Sequence, residues 1–212
     1  MKINGKWVFI DNHTIDNLEK MYEWSNDKEL IEIECGKNNK ILSIDDYKNN
    51  AMTSYIENNH ESNSTFCHFG IYRNFNNELI GYVDFQNISE NSSELSLSIP
   101  DKENRNKHFG MDAVIIALNY AFKIRNIKNI IMRTRIDNAV VKNICKKVGL
   151  KYEIEHFNEN NYDLDLVKYE INESIFKEIL NRFSDIGQTH FAVRGEQFQL
   201  ATICHGFILL YG

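Results

Sequence analysis

The sequence predicts a mixed α/β (α+β) domain, and three observations indicate this fold class. Segments with the pattern of strands and segments with the spacing of helices follow one another along most of the chain. The segment SELSLSI alternates strictly, with Leu95, Leu97 and Ile99 on one face. The segment from Gly110 to Arg125 is apolar almost all round, which is typical of a helix that is packed against a sheet and well covered. At 212 residues the chain can bury a substantial core, and one domain is the expected count.

The first half of the chain is predicted to contain a strand, two helices and a β-hairpin. KWVFIDNHTI reads as the opening strand, and HTIDNLEKMYEWSND has its apolar residues near helical spacing. In SIDDYKNNAMTSYIENN, Ser43 can cap a second helix whose first turn holds Asp45 and Asp46. TFCHFGIYRN and ELIGYVDFQNI are rich in aromatic and β-branched residues. The Phe75-Asn76-Asn77 turn that joins them is a good hairpin signal.

The second half adds three helices and further strands. SELSLSI is a strand that ends at Pro100, the only proline, and the apolar helix follows it. NIIMRTRI is predicted to be a strand, and DNAVVKNICKKVG has the capping start and the Lys-Lys-x-Gly end of a short helix. KYEIEHF and YDLDLVKYEI read as closing strands, and INESIFKEILNRF reads as a further helix.

Charge and cysteine usage exclude several classes of protein. The net charge of −6 argues against a general nucleic-acid binder. No run of 18 apolar residues predicts a membrane span, and the start of the chain lacks the apolar core of a signal peptide. The four cysteines are widely scattered without a C-x-x-C pair, which predicts no metal site and favours free thiols in the cytoplasm.

A polar loop lies between the SELSLSI strand and the apolar helix. This stretch, NRNKHFGMDA, carries Arg105, Lys107 and one glycine. Backbone N–H groups at a helix N-terminus bind phosphate groups well, and glycines allow a close approach because they lack Cβ. The loop therefore resembles a phosphate site, although Asn106 and His108 stand where smaller residues would fit more easily.

These motifs, in their order and spacing, resemble the GNAT acyltransferase superfamily from about Trp7 to Tyr169. IPDKENRNKHFGMDA is similar to IGDKEYRGKGYGTEA of the branch that includes ribosomal-protein N-terminal and spermidine acetyltransferases. NYAFKIRNIKNI resembles the helix-to-strand link of that branch, and MYEWSND resembles its "W.ND" entry motif. Asn138 lies eleven residues before Gly149, as in the "N…GF" helix of the branch.

The resemblance implies a GNAT-like fold and acetyl-CoA as co-substrate. The fold would be a mixed, mostly antiparallel central sheet with helices on both faces, splayed at the fourth and fifth strands. The pantetheine arm would lie along the fourth strand and the pyrophosphate against the loop, with no metal. The cofactor-binding residues implied are Leu97, Ser98, Ile99, Arg105, Asn106, Lys107, His108, Phe109, Gly110, Met111 and Asn138.

His108 and Asn106 replace two glycines that are common in the family loop. Asn and His are enriched among non-glycine residues with positive φ, so the loop shape can survive with modest strain. The alternative is a decayed site in which His108 is an ordinary surface residue.

An amine acceptor requires proton removal, because with a pKa near 10.4 roughly one amine in a few thousand is neutral at pH 7. Glu94 is the predicted general base, since it begins the fourth strand on its polar face and matches a glutamate frequent in the branch. The alternative is a solvated charge. Many family members place a thiolate-protonating Tyr seven residues after the Asn, but here that position is Cys145. An acceptor pocket could be lined by Glu23, Trp24 and Asp27 of the first helix and by Tyr55 and Glu57 of the second, but ordinary helix faces are the favoured interpretation.

Residues 1–183 are predicted to form the GNAT-like acyltransferase domain, and 184–212 to form a C-terminal extension. The extension ends in an apolar, β-branched stretch and is expected to pack as added strands on the core or on a partner subunit, so a homodimer is possible. The predicted enzyme is a cytoplasmic N-acetyltransferase that acts on a primary amine by direct attack. Its acceptor would be a small molecule or a protein N-terminus, without a nucleic-acid or membrane partner. The alternatives are a degenerate GNAT-like interaction module and an acyltransferase with another acyl donor.

Overall fold

A single mixed sheet organises the protein. A computed structural model describes residues 1–28, 30, 43–51, 64–147, 149–159, 162–184, 189–193 and 196–200. Within these residues ten strands pair in the order β10-β9-β1-β2-β3-β4-β5-β6-β8-β7. The strands are β1 Ile3–Asn4, β2 Val8–Asn12, β3 Cys67–Arg73, β4 Leu79–Gln86, β5 Ser92–Ser98, β6 Asn129–Arg135, β7 Tyr152–Glu159, β8 Tyr162–Asn172, β9 Thr189–Val193 and β10 Glu196–Leu200.

Helices cover both faces of this sheet. They are α1 Leu18–Ser25, α2 Ile44–Ala51, α3 Phe109–Asn119, α4 Ala139–Lys147 and α5 Glu173–Ser184. α3 packs with the inward residues of β2 to β5 in the larger hydrophobic cluster, and the sheet face beneath it is called here the α3 face. Met21 and Trp24 of α1 pack on Phe9 and Tyr72 in a second cluster, which defines the opposite, α1 face. The predicted mixed fold with helices on both faces is confirmed.

The predicted hairpin forms β3 and β4, and its Asn turn behaves as expected. Asn77 has a φ of 55° and donates its backbone N–H to the Arg73 carbonyl. The predicted apolar helix begins as α3 but continues from Tyr120 to Ile124 as a π-helical turn. After this turn, the Arg125 guanidinium donates Nη1 to the Tyr120 hydroxyl and to Cys67 Sγ, at 3.2 and 3.1 Å.

The opening segment differs from the sequence prediction in detail. A short strand, β1, precedes the predicted opening strand, and a 3-10 turn at Ile15–Asn17 precedes α1. At the far end, β9 pairs with β1 through Val193 and Ile3, and β10 pairs with β9. The division of the chain at residue 183 stays a prediction. Tyr55, Glu57 and the last twelve residues lie outside the described residues.

The sheet is splayed between β5 and β6. β5 pairs with β4 from Glu94 to Ser98, but it pairs in parallel with β6 only from Ser92 to Glu94. β6 continues to Arg135 as the partner of β8. From Leu95 onward, β5 therefore presents a backbone edge that has no strand partner among the described residues.

Candidate active site

The loop between β5 and α3 has a left-handed backbone at two residues that are not glycine. After a single 3-10 turn at Lys102–Asn104, Asn106 and His108 have φ angles of 60° and 66°. His108 occupies the position directly before α3. Asn and His enter the left-handed region more readily than most side chains, so this loop keeps the backbone shape that glycines would allow. Both positions therefore have the positive φ that the sequence allowed, and the α-like backbone does not occur there.

The side chains of the loop are divided between solvent and core. Asn106 and Lys107 are exposed, whereas Phe109, Gly110 and Met111 are buried where α3 begins. The Arg105 guanidinium donates to the carbonyls of Ile99 and Pro100, with Nε and Nη2 at 3.1 and 2.6 Å. These contacts hold the end of β5 against the loop, so Arg105 shapes the site in addition to any contact with a ligand.

Asp112, in the first turn of α3, anchors the helix to the turn between β1 and β2. Its Oδ2 accepts the backbone N–H groups of Trp7 and Val8 at 2.7 and 3.0 Å, and its Oδ1 accepts that of Lys6 at 3.1 Å. Burial raises the pKa of the Asp112 carboxyl, and these three donors oppose the rise. The Cα of Gly5 lies so close that a Cβ built there would be 2.6 Å from both carboxylate oxygens. The anchor also brings Trp7 to His108, with ring centroids 5.5 Å apart.

The free edge of β5 lies directly before the loop. The side chains of Leu97, Ser98 and Ile99 are buried, so only their backbone can meet a ligand that lies along this edge. Gly81 of β4 makes the strand end compact, because a Cβ built there would be 2.2 Å from the Ser98 carbonyl oxygen. The strand edge and the loop thus form one continuous backbone surface.

Glu94 lies at the last paired position between β5 and β6, and its carboxylate is already engaged. Arg133 donates Nη1 to Glu94 and Nε to Glu155, each at 2.7 Å. The hydrogen bond to Glu155, reinforced by Glu94, raises the pKa of the Arg133 guanidinium. The predicted base is therefore half of an ion pair across the splay, with its side chain 30% exposed.

Asn138 and Cys145 have structural contacts on α4. The Asn138 amide donates to Thr134 Oγ1 at 3.0 Å, and its Oδ1 accepts the Val141 N–H at 3.2 Å, which caps the helix. Cys145 is buried, and burial raises the pKa of its thiol to about 12. A thiol so reluctant to ionise is a packing group, and its position does not supply the acid that the family Tyr would supply.

Sequence reasoning missed a cluster of polar side chains on the α1 face of β2 to β5. Asp84 hydrogen-bonds to Nδ1 of His68 through Oδ1, and the Ser96 hydroxyl donates to its Oδ2 at 3.3 Å. His68 is 3% exposed, and its ring stacks on His13 with centroids 4.5 Å apart. The pKa of His13 lies well below its ordinary value, mainly because the ring is buried and secondly because of electrostatic repulsion from His68. The ring of Tyr82 lies 5.6 Å from that of His68.

The register of the predicted hairpin was the signal that could have found this cluster. His68 and Asp84 each lie eight residues from Asn76, the centre of the predicted turn, so symmetric pairing puts them opposite each other. Their partner in β5 could not be read in the same way, because the connection from β4 to β5 carries no comparable turn signal.

α1 is tied to the segment that enters the loop. Trp24 donates Nε1 to Asp101 Oδ1 at 2.9 Å, and Lys20 Nζ lies 3.2 Å from Asp101 Oδ2. Lys20 also donates to the Leu79 carbonyl at 2.9 Å. The helix on the α1 face and the loop are therefore held in one arrangement.

Over the residues that the structure describes, no group of three or more His, Cys, Asp or Glu side chains could hold a metal ion. No helix in the described ranges has the length and apolar character needed to cross a membrane.

Comparisons with known proteins agree with this architecture. The family model described as the acetyltransferase (GNAT) domain matches residues 8–151. A GNAT-family acetyltransferase from Bacillus anthracis is similar over 82% of this chain and 99% of its own, with 19% identity and a TM-score of 0.65. A Vibrio cholerae spermidine N-acetyltransferase in complex with CoA and spermine is similar over 81% and 98%, with 19% identity and a TM-score of 0.65. A nucleotide-linked sugar GNAT in its apo form is similar over 87% of this chain and 97% of its own, with 13% identity and a TM-score of 0.66. A search of curated proteins found no match.

Proposed function

The chain belongs to the GNAT acetyltransferase family and transfers an acetyl group from acetyl-CoA to an amine; from this premise we propose that the acceptor is a small primary amine bound on the α1 face of the splayed strands. The proposal rests on the free edge of β5 from Leu95 to Ser98, which opens beside the polar cluster that contains Asp84 and Ser96. Neither the family match nor the fold favours a non-catalytic module or another acyl donor.

The residues present fit acetyl-CoA. Leu97, Ser98 and Ile99 offer backbone groups along a strand edge that would hold the pantetheine arm. The loop from Arg105 to Met111 offers N–H groups at the start of an eleven-residue helix, which suits a pyrophosphate. When bound, acetyl-CoA supplies an acetyl thioester that is activated toward a nitrogen nucleophile. We propose the residues of this edge and loop, together with Asn138 beside the splay, as the cofactor site.

The acceptor side combines aromatic rings with carboxylates. Trp24 and Tyr82 pack with ring centroids 6.3 Å apart on the α1 face, and Asp84 and Glu94 lie on the neighbouring strands. Such a surface suits a cationic amine, whose charge is attracted by carboxylates and by aromatic faces. The spermine complex of the Vibrio cholerae relative supports a small amine in place of a protein N-terminus.

Direct attack requires only that the chain hold the amine near the thioester and remove its proton. Positioning alone contributes a large part of such a rate. Two carboxylates on the α1 face are candidates for proton removal, Glu94 and Asp84. Glu94 is the base that the sequence suggests, and its ion pair with Arg133 is a reason to test both.

The proposed cofactor site is tested by calorimetric titration with acetyl-CoA and with its two fragments, pantetheine and adenosine 3′,5′-bisphosphate. We expect pantetheine to report on the β5 edge and the nucleotide to report on the loop. His108→Val, whose branched side chain disfavours a positive φ, should weaken the nucleotide and acetyl-CoA but leave pantetheine unchanged. Absence of both heat and thermal shift at millimolar acetyl-CoA would refute the proposed site.

Activity is measured as thiol release with a panel of primary amines that includes polyamines and amino sugars. A thiol signal that depends on both acetyl-CoA and one amine class identifies the acceptor. Binding of acetyl-CoA without thiol release from any amine would favour the interaction module.

We also propose that the protein is cytoplasmic and forms a homodimer. Cys67 and Cys145 are free, buried thiols in the described part of the chain, which supports a cytoplasmic protein. Light scattering at several concentrations tests the homodimer expected from the C-terminal strands.

A further inference from the structure

We propose that Asp84 is the base that takes the proton from the acceptor amine, and that His68 positions its carboxylate and shares that proton. This inference rests on the proposed amine acetylation. It assigns the chemistry to the buried cluster on the α1 face.

The register places Asp84 beside the expected reaction centre. Asp84 pairs with His68 on one side and with Ser96 on the other, and Ser96 lies within the part of β5 that has left β6. Neighbouring strands lie about 4.8 Å apart, so Asp84 is about 10 Å from a ligand along the free edge of β5. A carboxylate side chain and an amine, with or without one water molecule, span that distance on the same face.

The carboxylate is held in one orientation from both sides. Its Oδ1 bonds to His68 Nδ1, and its Oδ2 accepts the Ser96 hydroxyl. The His68 ring is fixed in turn by stacking against His13 and by the neighbouring rings of Tyr82 and Phe66, at centroid distances of 4.5, 5.6 and 6.1 Å. A base whose geometry is fixed before the substrate arrives loses little free energy in reorganisation.

The closest ring neighbour of His68 is His13, whose pKa is kept low mainly by burial. Among the described residues, His68 contacts the carboxylate of Asp84, the imidazole of His13 and the ring of Tyr82. An imidazole bonded to a carboxylate is a common arrangement for storing a proton during catalysis.

Glu94 differs from Asp84 in the partner that binds its carboxylate. Arg133, whose pKa is raised, donates to Glu94 at 2.7 Å and remains charged through any turnover. Glu94 would have to release or share this ion pair in order to take a proton from the amine. Glu94 also lies two residues before Ser96, where β5 and β6 are still paired.

The proposed step balances as follows. The ammonium form of the acceptor gives one proton to the Asp84–His68 pair and becomes a neutral amine. The amine nitrogen then forms the N–C bond to the acetyl group as the C–S bond breaks, and the sulfur leaves with the electron pair. The second amine proton neutralises the thiolate through solvent, and the proton on the pair returns to solvent.

The test compares three carboxylate variants in the full chain. Asp84→Asn should lower kcat at least 10²-fold, because a general base usually contributes at least that much to the rate. The affinity for acetyl-CoA should change little. Glu94→Gln should lower kcat less than tenfold. Asp165→Asn is the matched control, because Asp165 also pairs with a histidine across two strands, His156, but on the exposed β7–β8 edge. This variant should leave kcat unchanged.

A spectroscopic measurement separates the proposal from a purely structural role. With Asp84 ionised, Nδ1 of His68 carries the hydrogen-bonded proton, which should give a low-field NMR signal. We expect this signal to disappear in Asp84→Asn, to persist in Asp165→Asn, and to shift when an active amine is added with CoA. If Asp84→Asn does not fold, His68→Gln provides a second variant. It should lower kcat at least tenfold.

The outcomes are distinct. Near-normal kcat in a folded Asp84→Asn protein overturns the inference while acetyl transfer stands. A 10²-fold loss in Glu94→Gln without a loss in Asp84→Asn returns the role to Glu94. Wild-type protein that releases no thiol with any amine overturns the inference together with the proposed function. A large kcat loss in Asp84→Asn, together with the amine-dependent NMR shift, supports it.

Discussion

Replacement of Asp112 by alanine should destabilise the protein strongly, because it removes the acceptor for three backbone N–H groups. Those of Trp7 and Lys6 are partly buried, and that of Val8 is buried. Leaving a buried donor unsatisfied costs about 1–3 kcal/mol. With the partly buried pair near the lower bound, the loss of free energy of unfolding for Asp112→Ala is about 3–5 kcal/mol. This is a large share of the roughly 5–15 kcal/mol that stabilises a typical domain.

Asp112→Asn is the matched variant that separates hydrogen bonding from packing. An asparagine carbonyl can keep the two bonds that Oδ2 accepts from Trp7 and Val8, but its NH₂ group would face the Lys6 N–H. We expect a smaller loss, about 1–3 kcal/mol, which is the penalty for one unsatisfied donor. Urea unfolding followed by circular dichroism measures both variants, with an unchanged m-value as the sign of an intact native state.

The pH dependence supplies a second measurement on the same carboxylate. Because burial raises the pKa of Asp112, the folded state binds its proton more readily than the unfolded chain does. The contribution of this group to stability therefore falls as pH rises from the ordinary aspartate value of about 3.9 through the folded pKa. Asp112→Asn should lose that slope.

Two outcomes would contradict this role of Asp112. Asp112→Ala within about 1 kcal/mol of wild type would mean that water replaces the carboxylate, contrary to the burial argument. Gly5→Ala should disturb the same contact, because its Cβ would be 2.6 Å from both carboxylate oxygens. The double variant with Asp112→Ala should therefore be non-additive, and simple additivity would place the effect of Gly5 elsewhere.

Three further predictions concern the cofactor side of the site. His108→Gly and Asn106→Gly should keep or improve CoA affinity by calorimetry, because glycine removes the cost of positive φ; a tenfold loss for His108→Gly, about 1.4 kcal/mol, would instead make the imidazole a phosphate ligand. Gly81→Ala should lower both thermal stability and CoA affinity, because its Cβ would meet the Ser98 carbonyl at 2.2 Å; an unchanged melting temperature would contradict this. Cys145 should resist thiol reagents at pH 8 in the native state and react in urea, as mass spectrometry can measure, because its pKa is about 12.

Backbone preferences of single residues carried the sequence prediction of the loop. Asn and His tolerate a left-handed φ as a local property, so the shape at Asn106 and His108 could be anticipated without knowing what surrounds them. The faces of β5 were likewise predictable, because side chains alternate along any strand. Leu95 and Leu97 are buried toward α3, as the pattern SELSLSI indicates.

Contacts between distant segments could not be predicted from local backbone preferences or from strand alternation. Glu94 meets Arg133 through a parallel pairing that spans a helix, and a one-residue change of register would have moved either side chain to the other face. No local signal marks Arg133 as the partner of the predicted base. The role assigned to Glu94 therefore stays a prediction to be tested against Asp84.

The amino-acid sequence by itself indicated the family through the resemblance of its motifs. It also determined the order of most strands and helices, because that order follows from local periodicity and turn chemistry. The tertiary structure alone decided that Asp112 holds the turn about a hundred residues earlier, and that His68 and Asp84 lie beside the free edge of β5. Such contacts depend on strand register and on the point where β5 parts from β6. Both are set by packing summed over the whole sheet, which no single segment encodes.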